Sequence, residues 1–500
     1  MRKRVIVIGA GFSGLSAASA LAHQGFEVTI LEKNSSPGGR ARSFSENGFV
    51  FDMGPSWYWM PDVFDNYFAT FGKQVSDYYR LLRLDPSYAI FFGPQGSIEV
   101  PASLKQLHAL FEHHEPGSSA HLDTFLQEAE YKYRVGMEEF VYKPGLSPLE
   151  FADARVFRSL FRLQMFTSMT THVDQLFKNP RLRQLLKFPV LFLGATPENT
   201  PAMYSLMNYA DLVLGTWYPK GGMYQIIVAM VALAEELGVK IITNQPVRRI
   251  LTSGRLATEV VTEHDRFDAD IVVSSADYHH TDQQLLTPAT RNYSENYWNN
   301  RVMAPSSLLF YLGVNKKLDH LLHHNLFFDE DFTRHAEEIY ETPQWPSNPL
   351  FYVCCASKTD SDCAPPDHEN VFVLIPVAPG LDDSPETREH YYDLVMKRLE
   401  RLTGQSVRDA VIYKRSYAHR DFVADYNAFR GNAYGLANTL RQTAILKPSL
   451  KNKNVDNLYY TGQLTVPGPG VPPSLISGLV SAREVAKRYQ PNSHPIYESI

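Results

Sequence analysis

The chain has 500 residues, 44% of them hydrophobic and 20% charged, with a formal net charge of −6. That is the balance of a folded globular protein long enough for two or three domains, and it excludes a nucleic-acid binder that works through a basic surface. The three cysteines, Cys354, Cys355 and Cys363, suit a reducing compartment and are too few for a disulfide scaffold; neither they nor the histidines show zinc-type spacing, so no metal is expected.

In chain order, Arg2-Lys3-Arg4 precedes the β-branched run Val5–Ile8. A signal peptide could begin this way, but the apolar run is short and a glycine-rich loop follows at once. Val5–Ile8 is therefore expected to be a buried strand bounded by Gly9. Leu15–Gln24, rich in alanine and leucine, is expected to be a helix stopped by Gly25. Glu27–Leu31 follows as a second strand, which makes a βαβ start. Residues 50–105 are expected to mix strands and loops, and 106–215 to be mainly helical with basic and aromatic residues interleaved.

Near 220 the α/β character returns. Gly221-Gly222 opens a helix through Glu236, followed by strands at Val239–Ile242, Val247–Leu251, Leu256–Thr262 and Ile271–Ser274. Residues 290–450 read as a mixed α/β insertion. Asn457–Tyr489 reads as strand, Gly/Pro loop and a helix beginning near Ser474. No segment approaches the roughly 18 apolar residues of a membrane span; the longest are Ile226–Ala234 and Phe188–Ala195. The chain is not expected to cross a bilayer, though it could lie on one.

Gly9-Ala10-Gly11-Phe12-Ser13-Gly14 fits G-x-G-x-x-G between a strand and a helix, the context in which that motif binds a dinucleotide. Gly9 permits the tight turn, Gly11 the approach of a pyrophosphate, and Gly14 the packing of helix on strand. The helix N-terminus offers free N–H groups and partial positive charge to phosphates. Glu32 ends the second strand, placed to accept a hydrogen bond from a ribose 2′-OH and to repel a 2′-phosphate.

Lys33 and the turn Gly38-Gly39-Arg40 follow. This segment resembles the flavin amine oxidase and phytoene desaturase superfamily, in which such a turn brings two glycines and a cation to the pyrophosphate. Asp52-Met53-Gly54-Pro55-Ser56 resembles the superfamily's D-x-G-P-[ST] segment beside the isoalloxazine, and Pro246-Val247-Arg248-Arg249-Ile250 its adenine-contacting strand. Ala269–Asp277 resembles the strand that returns the chain to the cofactor domain. Tyr460-Thr461-Gly462-Gln463, then Pro467-Gly468-Pro469-Gly470-Val471-Pro472, resembles the last cofactor-contacting element.

The family most similar is the bacterial phytoene desaturase type. Gly215-Thr216-Trp217-Tyr218-Pro219-Lys220-Gly221-Gly222-Met223, Met303–Gly313 and Asp425–Leu436 resemble its segments; Val466 stands where the family often has histidine, and Trp57 and Trp59 depart from the commonest pattern. The resemblance implies an α/β fold: a discontinuous, glutathione reductase-like Rossmann-type FAD-binding domain at 1–105, 221–290 and 451–490, a helical membrane-contacting part at 106–220 and an inserted mixed α/β substrate domain at 291–450. It implies FAD, held by the positions from Gly9 to Gly14 with Glu32, Lys33, Gly38, Gly39, Arg40, Gly54, Pro55, Ser56, Val247, Gly462, Gly470 and Val471.

The implied reaction is stepwise desaturation of phytoene to lycopene-type products, with hydride transfer to the flavin and a quinone or O₂ as final acceptor. Asp153 is the expected base. Phe151, Phe157, Leu160, Phe161, Met165, Phe166, Met169, Leu176, Phe177, Leu191, Phe192, Met203, Tyr204 and Met207 are expected to line an apolar corridor. Arg155, Arg158, Arg162, Lys178, Arg181, Arg183 and Lys187 are expected to meet anionic headgroups at the membrane surface, with the protein cytoplasmic and peripherally bound. The alternatives are a carotenoid isomerase, a desaturase of a modified or shorter carotenoid, a flavin amine or porphyrinogen oxidase, and a non-enzymatic prenyl-lipid escort.

Overall fold

The computed structural model describes residues 2–151, 162–193, 196–439 and 442–490. Asp153 lies outside them, as do Arg155, Phe157, Arg158, Leu160 and Phe161.

A five-stranded parallel sheet has the order Leu458–Tyr460, Ile271–Ser274, Arg4–Ile8, Glu27–Leu31, Lys240–Ile242. The first strand sits at its centre. Val5 and Val7 pack into one core with Leu15, Ala18, Leu475 and Leu479. Ile6 and Ile8 pack into another with Ile250 and Val260. Burial on both faces is why this strand reads as an unbroken apolar run rather than an alternating one. The helices Phe12–His23, Tyr224–Glu236 and Val471–Tyr489 cover one face, and the antiparallel strands Val247–Ser253, Leu256–Thr262 and Arg266–Asp268 the other.

Two helices start earlier than the sequence suggested. The first begins at Phe12, directly after Gly11. The last begins at Val471, because Pro472 and Pro473 sit in its first turn, where the missing N–H has no intrahelical acceptor. Pro61–Ala69 is a helix inside a stretch expected to hold only strands and loops. Its buried Val63, Phe64, Tyr67 and Phe68 recur at helical spacing.

The second large sheet has seven strands in the order Val411–Tyr417, Ser306–Val314, Glu369–Val377, Phe351–Cys354, His324–Phe327, Tyr88–Phe91, Ser97–Val100. All its pairs are antiparallel except His324–Phe327 with Tyr88–Phe91. Tyr88–Phe91 and Ser97–Val100, read from the sequence as part of the nucleotide-binding segment 1–105, thus pair in this sheet. The helices Leu104–His114, Ser118–Val135, Met169–Leu176 and Pro180–Lys187 follow Ser97–Val100 in the chain and pack on one another. No helix among the described residues is long and apolar enough to cross a membrane.

Candidate functional site

A cavity of about 500 Å³ runs over the C-terminal edge of the parallel sheet, between its first and last helices and the seven-stranded sheet. Parallel sheets place ligands there, where loops leave the carboxyl ends of the strands. The turn after the first strand contributes Gly9, Gly11, Phe12 and Ser13 to its wall; the end of the second strand contributes Glu32 and Lys33. Gly38, Gly39 and Arg40 follow, then Gly54 and Pro55, Val247, and from the last turn and helix Gly462, Gly470 and Val471. Residues separated by more than 400 positions meet because Phe12–His23 and Val471–Tyr489 pack side by side: the Ser16 hydroxyl donates to the Leu475 carbonyl at 2.8 Å.

Three expected positions are not on this wall. Ala10 uses its N–H to donate to Glu32 Oε2 at 2.8 Å. Gly14 faces the protein: a Cβ there would stand 2.0 Å from the Gly9 carbonyl oxygen, so its role is helix-on-strand packing. Ser56 points away, accepting from the Tyr352 hydroxyl at 3.0 Å, and borders a separate cavity of about 30 Å³.

The wall fits a dinucleotide. The helix Phe12–His23 has no side-chain cap and no acidic residue in its first turn, so its first N–H groups are left to an external anion. A Cβ on Gly11 would meet no protein atom within 4 Å, and one on Gly39 would meet the Gly11 Cα at 3.4 Å: two bare backbones border the same open space. Arg40 donates to the Asn432 carbonyl at 3.1 Å, while its shielded Nε has no partner among the described residues. A part-buried guanidinium with an idle donor beside uncapped amides suits a pyrophosphate. Glu32 Oε1 accepts from the Asn34 N–H at 2.8 Å. Each carboxylate oxygen is thus aimed by a backbone donor yet retains capacity for a ribose hydroxyl. Lys33 turns its ammonium to the Ala424 carbonyl and to Asn427 Oδ1, the latter at 3.4 Å.

At the far end Gly470, at φ 116°, caps the last helix. Ser474 N–H bonds the Gly470 carbonyl at 3.0 Å. With proline at 472 and 473, the Val471 N–H is the first-turn donor left for a ligand, alongside the helix dipole. The Ser477 hydroxyl, buried, meets the Gly462 N–H and Thr461 hydroxyl at 3.0 Å and that of Thr465 at 2.9 Å, which locks the turn onto the helix.

Sequence reasoning missed Asn432, Asp277 and the sheet residues. Asn432 is fully buried; besides Arg40 it holds the Gly435 N–H at 2.9 Å and the Gln463 amide at 3.1 Å through Oδ1. The resemblance of Asp425–Leu436 flagged its segment but not its place as a joint. Asp277 accepts from His280 and Phe429 N–H groups, and desolvation raises its pKa. Leu309 and Leu374, from adjacent strands of the seven-stranded sheet, close the cavity with Tyr434. Nearby, Lys447 is 4% exposed with no partner for Nζ among the described residues, and burial pushes its pKa down to about 7.

Gly215-Thr216-Trp217 does not reach the large cavity. Thr216 Oγ1 accepts from the Trp59 indole at 2.9 Å and donates to Asp211 at 3.2 Å, so this segment and Trp59 serve a buried network. Desolvation raises Asp211 to about 7. Of the expected corridor residues, Met169 and Phe177 belong to the packed core; Phe177 lies edge-on to Phe111 and Phe125. Phe166 is 85% exposed. Arg183 and Lys187 both pair with Asp174, and Arg162 lies over the Tyr131 ring.

The chain matches the family model described as flavin containing amine oxidoreductase over residues 12–486. It is 42% identical to the carotenoid 3,4-desaturase of Haloarcula japonica over 476 residues, covering 95% of this chain and 96% of that one. It is 33% identical to the zeta-carotene-forming phytoene desaturase of Myxococcus xanthus, with 98% and 95% covered. A solved oxidoreductase from Methanosarcina mazei shares the fold with a TM-score of 0.60 at 16% identity, over 95% of this chain and 99% of that one. With the uncapped helix N-terminus, the bare glycine backbones and Arg40 around one cavity, these likenesses lead to one conclusion: the chain belongs to the flavin containing amine oxidoreductase family, among its phytoene-desaturase-type members, and its cofactor is FAD.

Proposed function

We propose that this protein is an FAD-dependent carotenoid desaturase, which removes two hydrogens from adjacent carbons of a long apolar polyene. The observation that carries this reading is the likeness along almost the whole chain to two carotenoid desaturases. The site agrees with it. Bound FAD supplies a two-electron acceptor for a hydride. The protein's part is to hold the dinucleotide at Gly9–Ser13, Glu32 and Arg40, and to present the reacting carbons in a dry space. Leu309, Leu374 and Met53 wall the cavity with apolar surface where the seven-stranded sheet meets it. The Tyr311 hydroxyl donates to the Met53 carbonyl at 2.7 Å and ties that sheet to the Gly54-Pro55 loop.

A polyene has no polar handle, so shape and exclusion of water replace hydrogen-bond recognition. The proton released with the hydride needs only a weak base, because the neighbouring C–H becomes acidic once the hydride has left; Asp153 is our candidate. The reduced cofactor would pass its electrons to a quinone or O₂. Entry from a membrane surface agrees with Leu146, Leu149, Ile445 and Leu446, which expose 36%, 81%, 39% and 49% of their surface. They flank two loops in contact: a Cβ on Gly145 would lie 3.3 Å from the Ala444 carbonyl oxygen. Such loops would dip into a headgroup layer.

The relative at 42% identity, a carotenoid 3,4-desaturase, favours a second reading of the substrate: a modified carotenoid, desaturated at a 3,4 bond. Expression in cells that accumulate phytoene, and separately in cells that accumulate lycopene-type pigment, tests both. Coloured product from phytoene supports phytoene desaturation; a red shift of the lycopene-type pigment alone supports the second reading. No change in either polyene overturns both of these substrate readings.

A further inference from the structure

His323-His324 and Cys354 lie far apart in sequence and form no metal-type spacing. Strand pairing brings them together. His324 and Cys354 are register partners in the antiparallel pair His324–Phe327 and Phe351–Cys354. One ligand-capable atom from each of His323, His324 and Cys354 lies within 4.8 Å of the other two. The three residues are 4%, 0% and 6% exposed.

The hydrogen bonds leave the same ring atom free on both histidines. Nδ1 of His323 meets the Thr359 hydroxyl at 2.7 Å, and Nδ1 of His324 meets the Tyr352 hydroxyl at 2.6 Å. The Tyr352 hydroxyl donates to Ser56 at 3.0 Å. It therefore accepts from His324 Nδ1–H, which leaves Nε2 as a bare lone pair. Both Nε2 atoms are buried without a partner among the described residues. An unpaired buried polar atom costs about 1–3 kcal/mol, so two adjacent ones beside the Cys354 thiol, itself hydrogen-bonded to the Tyr352 hydroxyl, gain from a ligand or a water. Nδ1 held by the protein with Nε2 open is how metal-binding histidines are oriented.

The small cavity borders this cluster. It is about 30 Å³, and His323, Cys354, Asp52 and Cys363 are in its wall. That is room for one water, and Asp52 places a carboxyl group beside it.

We propose that His323, His324 and Cys354 bind one zinc-class divalent cation through the two Nε2 atoms and the sulfur, with a water from the small cavity in the fourth position. The thiol loses its proton to solvent on binding. The set of one thiolate and two imidazoles suits zinc and disfavours magnesium and calcium, which take oxygen ligands. The ion would clip neighbouring strands of the seven-stranded sheet beneath Trp57, whose ring stacks on His324 at 4.1 Å. The site is separate from the dinucleotide wall, and the proposal stands or falls independently of the substrate.

The test uses the flavin-loaded full chain, stripped with a chelator, given one equivalent of Zn²⁺ and desalted. Elemental analysis is expected to find one zinc per chain, and zinc-edge X-ray absorption one sulfur at about 2.3 Å and two imidazole nitrogens at about 2.0 Å. Cys354→Ser and His323→Gln are each expected to weaken zinc binding at least tenfold, and Cys354→Ser to remove the sulfur shell. Cys363→Ser, in the same cavity wall, is expected to keep both. Flavin absorbance per chain reports whether each variant is folded. Zinc that washes off the native protein, or that stays with only nitrogen and oxygen neighbours, overturns the proposal without recourse to a variant. So does an unchanged sulfur shell in Cys354→Ser.

Discussion

The Gly9–Gly14 turn and the seven-stranded sheet both wall the same cavity, yet they are built on different principles. In the turn, each residue's task is set by its immediate neighbours: Gly14 lies against the Gly9 carbonyl, Ala10 donates to Glu32, and Gly11 borders open space. In the sheet, Ser306–Val314 and Glu369–Val377 pair over nine residues, both almost wholly buried. There Leu309 and Leu374 become wall residues only because they are partners in that register. The turn offers the cavity the chemistry of its backbone, the sheet the shape that distant strands make together.

Substitutions within the turn separate its packing from its binding, and they carry the largest expected effects. Gly14→Val puts a branched side chain where even a Cβ would stand 2.0 Å from a backbone oxygen. It is expected to destroy the turn: the purified protein should lack the flavin band at about 450 nm and show a lowered melting temperature. A Cβ at residue 11 meets no protein atom within 4 Å, so the apoprotein of Gly11→Val should keep the wild-type circular dichroism and melting temperature. FAD affinity should fall at least about 100-fold, or about 2.7 kcal/mol, read by flavin fluorescence titration. If Gly11→Val unfolds the protein, the distinction between the two glycines fails.

The next effect concerns stability rather than binding. Lys447 has its pKa lowered to about 7 in the folded protein from an ordinary value of 10.5. A lysine pKa depressed on folding means that the unfolded chain binds more protons between those values. The penalty is absent above the unfolded value, grows as pH falls from about 10.5 to about 7, and is constant below. Lys447→Met is therefore expected to raise unfolding free energy at pH 7 by about 2–4 kcal/mol. The gain should shrink steadily toward pH 10, measured by denaturant melts of both proteins across pH. A gain that is flat with pH would mean that the ammonium is paired.

The smallest effect is at Arg40, a cation on the same cavity wall as the turn and joined to the rest of the protein by Asn432. Arg40→Met is expected to raise the FAD dissociation constant about tenfold, or about 1.4 kcal/mol, with the loss greater at low salt than at high salt. An effect equal to that of Gly11→Val would move the main anchor of the pyrophosphate from backbone to side chain.

How far the sequence could be read follows from these same differences. Gly9, Gly11, Phe12, Ser13, Glu32 and Gly38–Arg40 were legible as cavity-wall residues because a strand, a glycine turn and a helix N-terminus lie within a few residues of one another, whereas Ala10 and Gly14 turned into the protein. Ser56 was misplaced: two peptide bonds beyond Gly54 the chain turns, and its hydroxyl meets Tyr352 instead of the large cavity. The buried joint at Asn432 and the buried ammonium of Lys447 were invisible, because burial and hydrogen-bond partners are not properties of a residue type. Pro61–Ala69 was overlooked as a helix since its aromatic residues also suit a strand.

Alone, the amino-acid sequence determined the strands of the parallel sheet, the glycine turn after the first of them and the carboxylate that ends the second, since these rest on local conformational preference. Only the tertiary structure decided that the strands at 88–100 join the second sheet, that Asn432 links Arg40 to Gln463, and that two histidines face a cysteine across a strand pair. The reason is that register and burial are set by contacts between residues hundreds of positions apart, whose mutual fit no short stretch of the chain encodes.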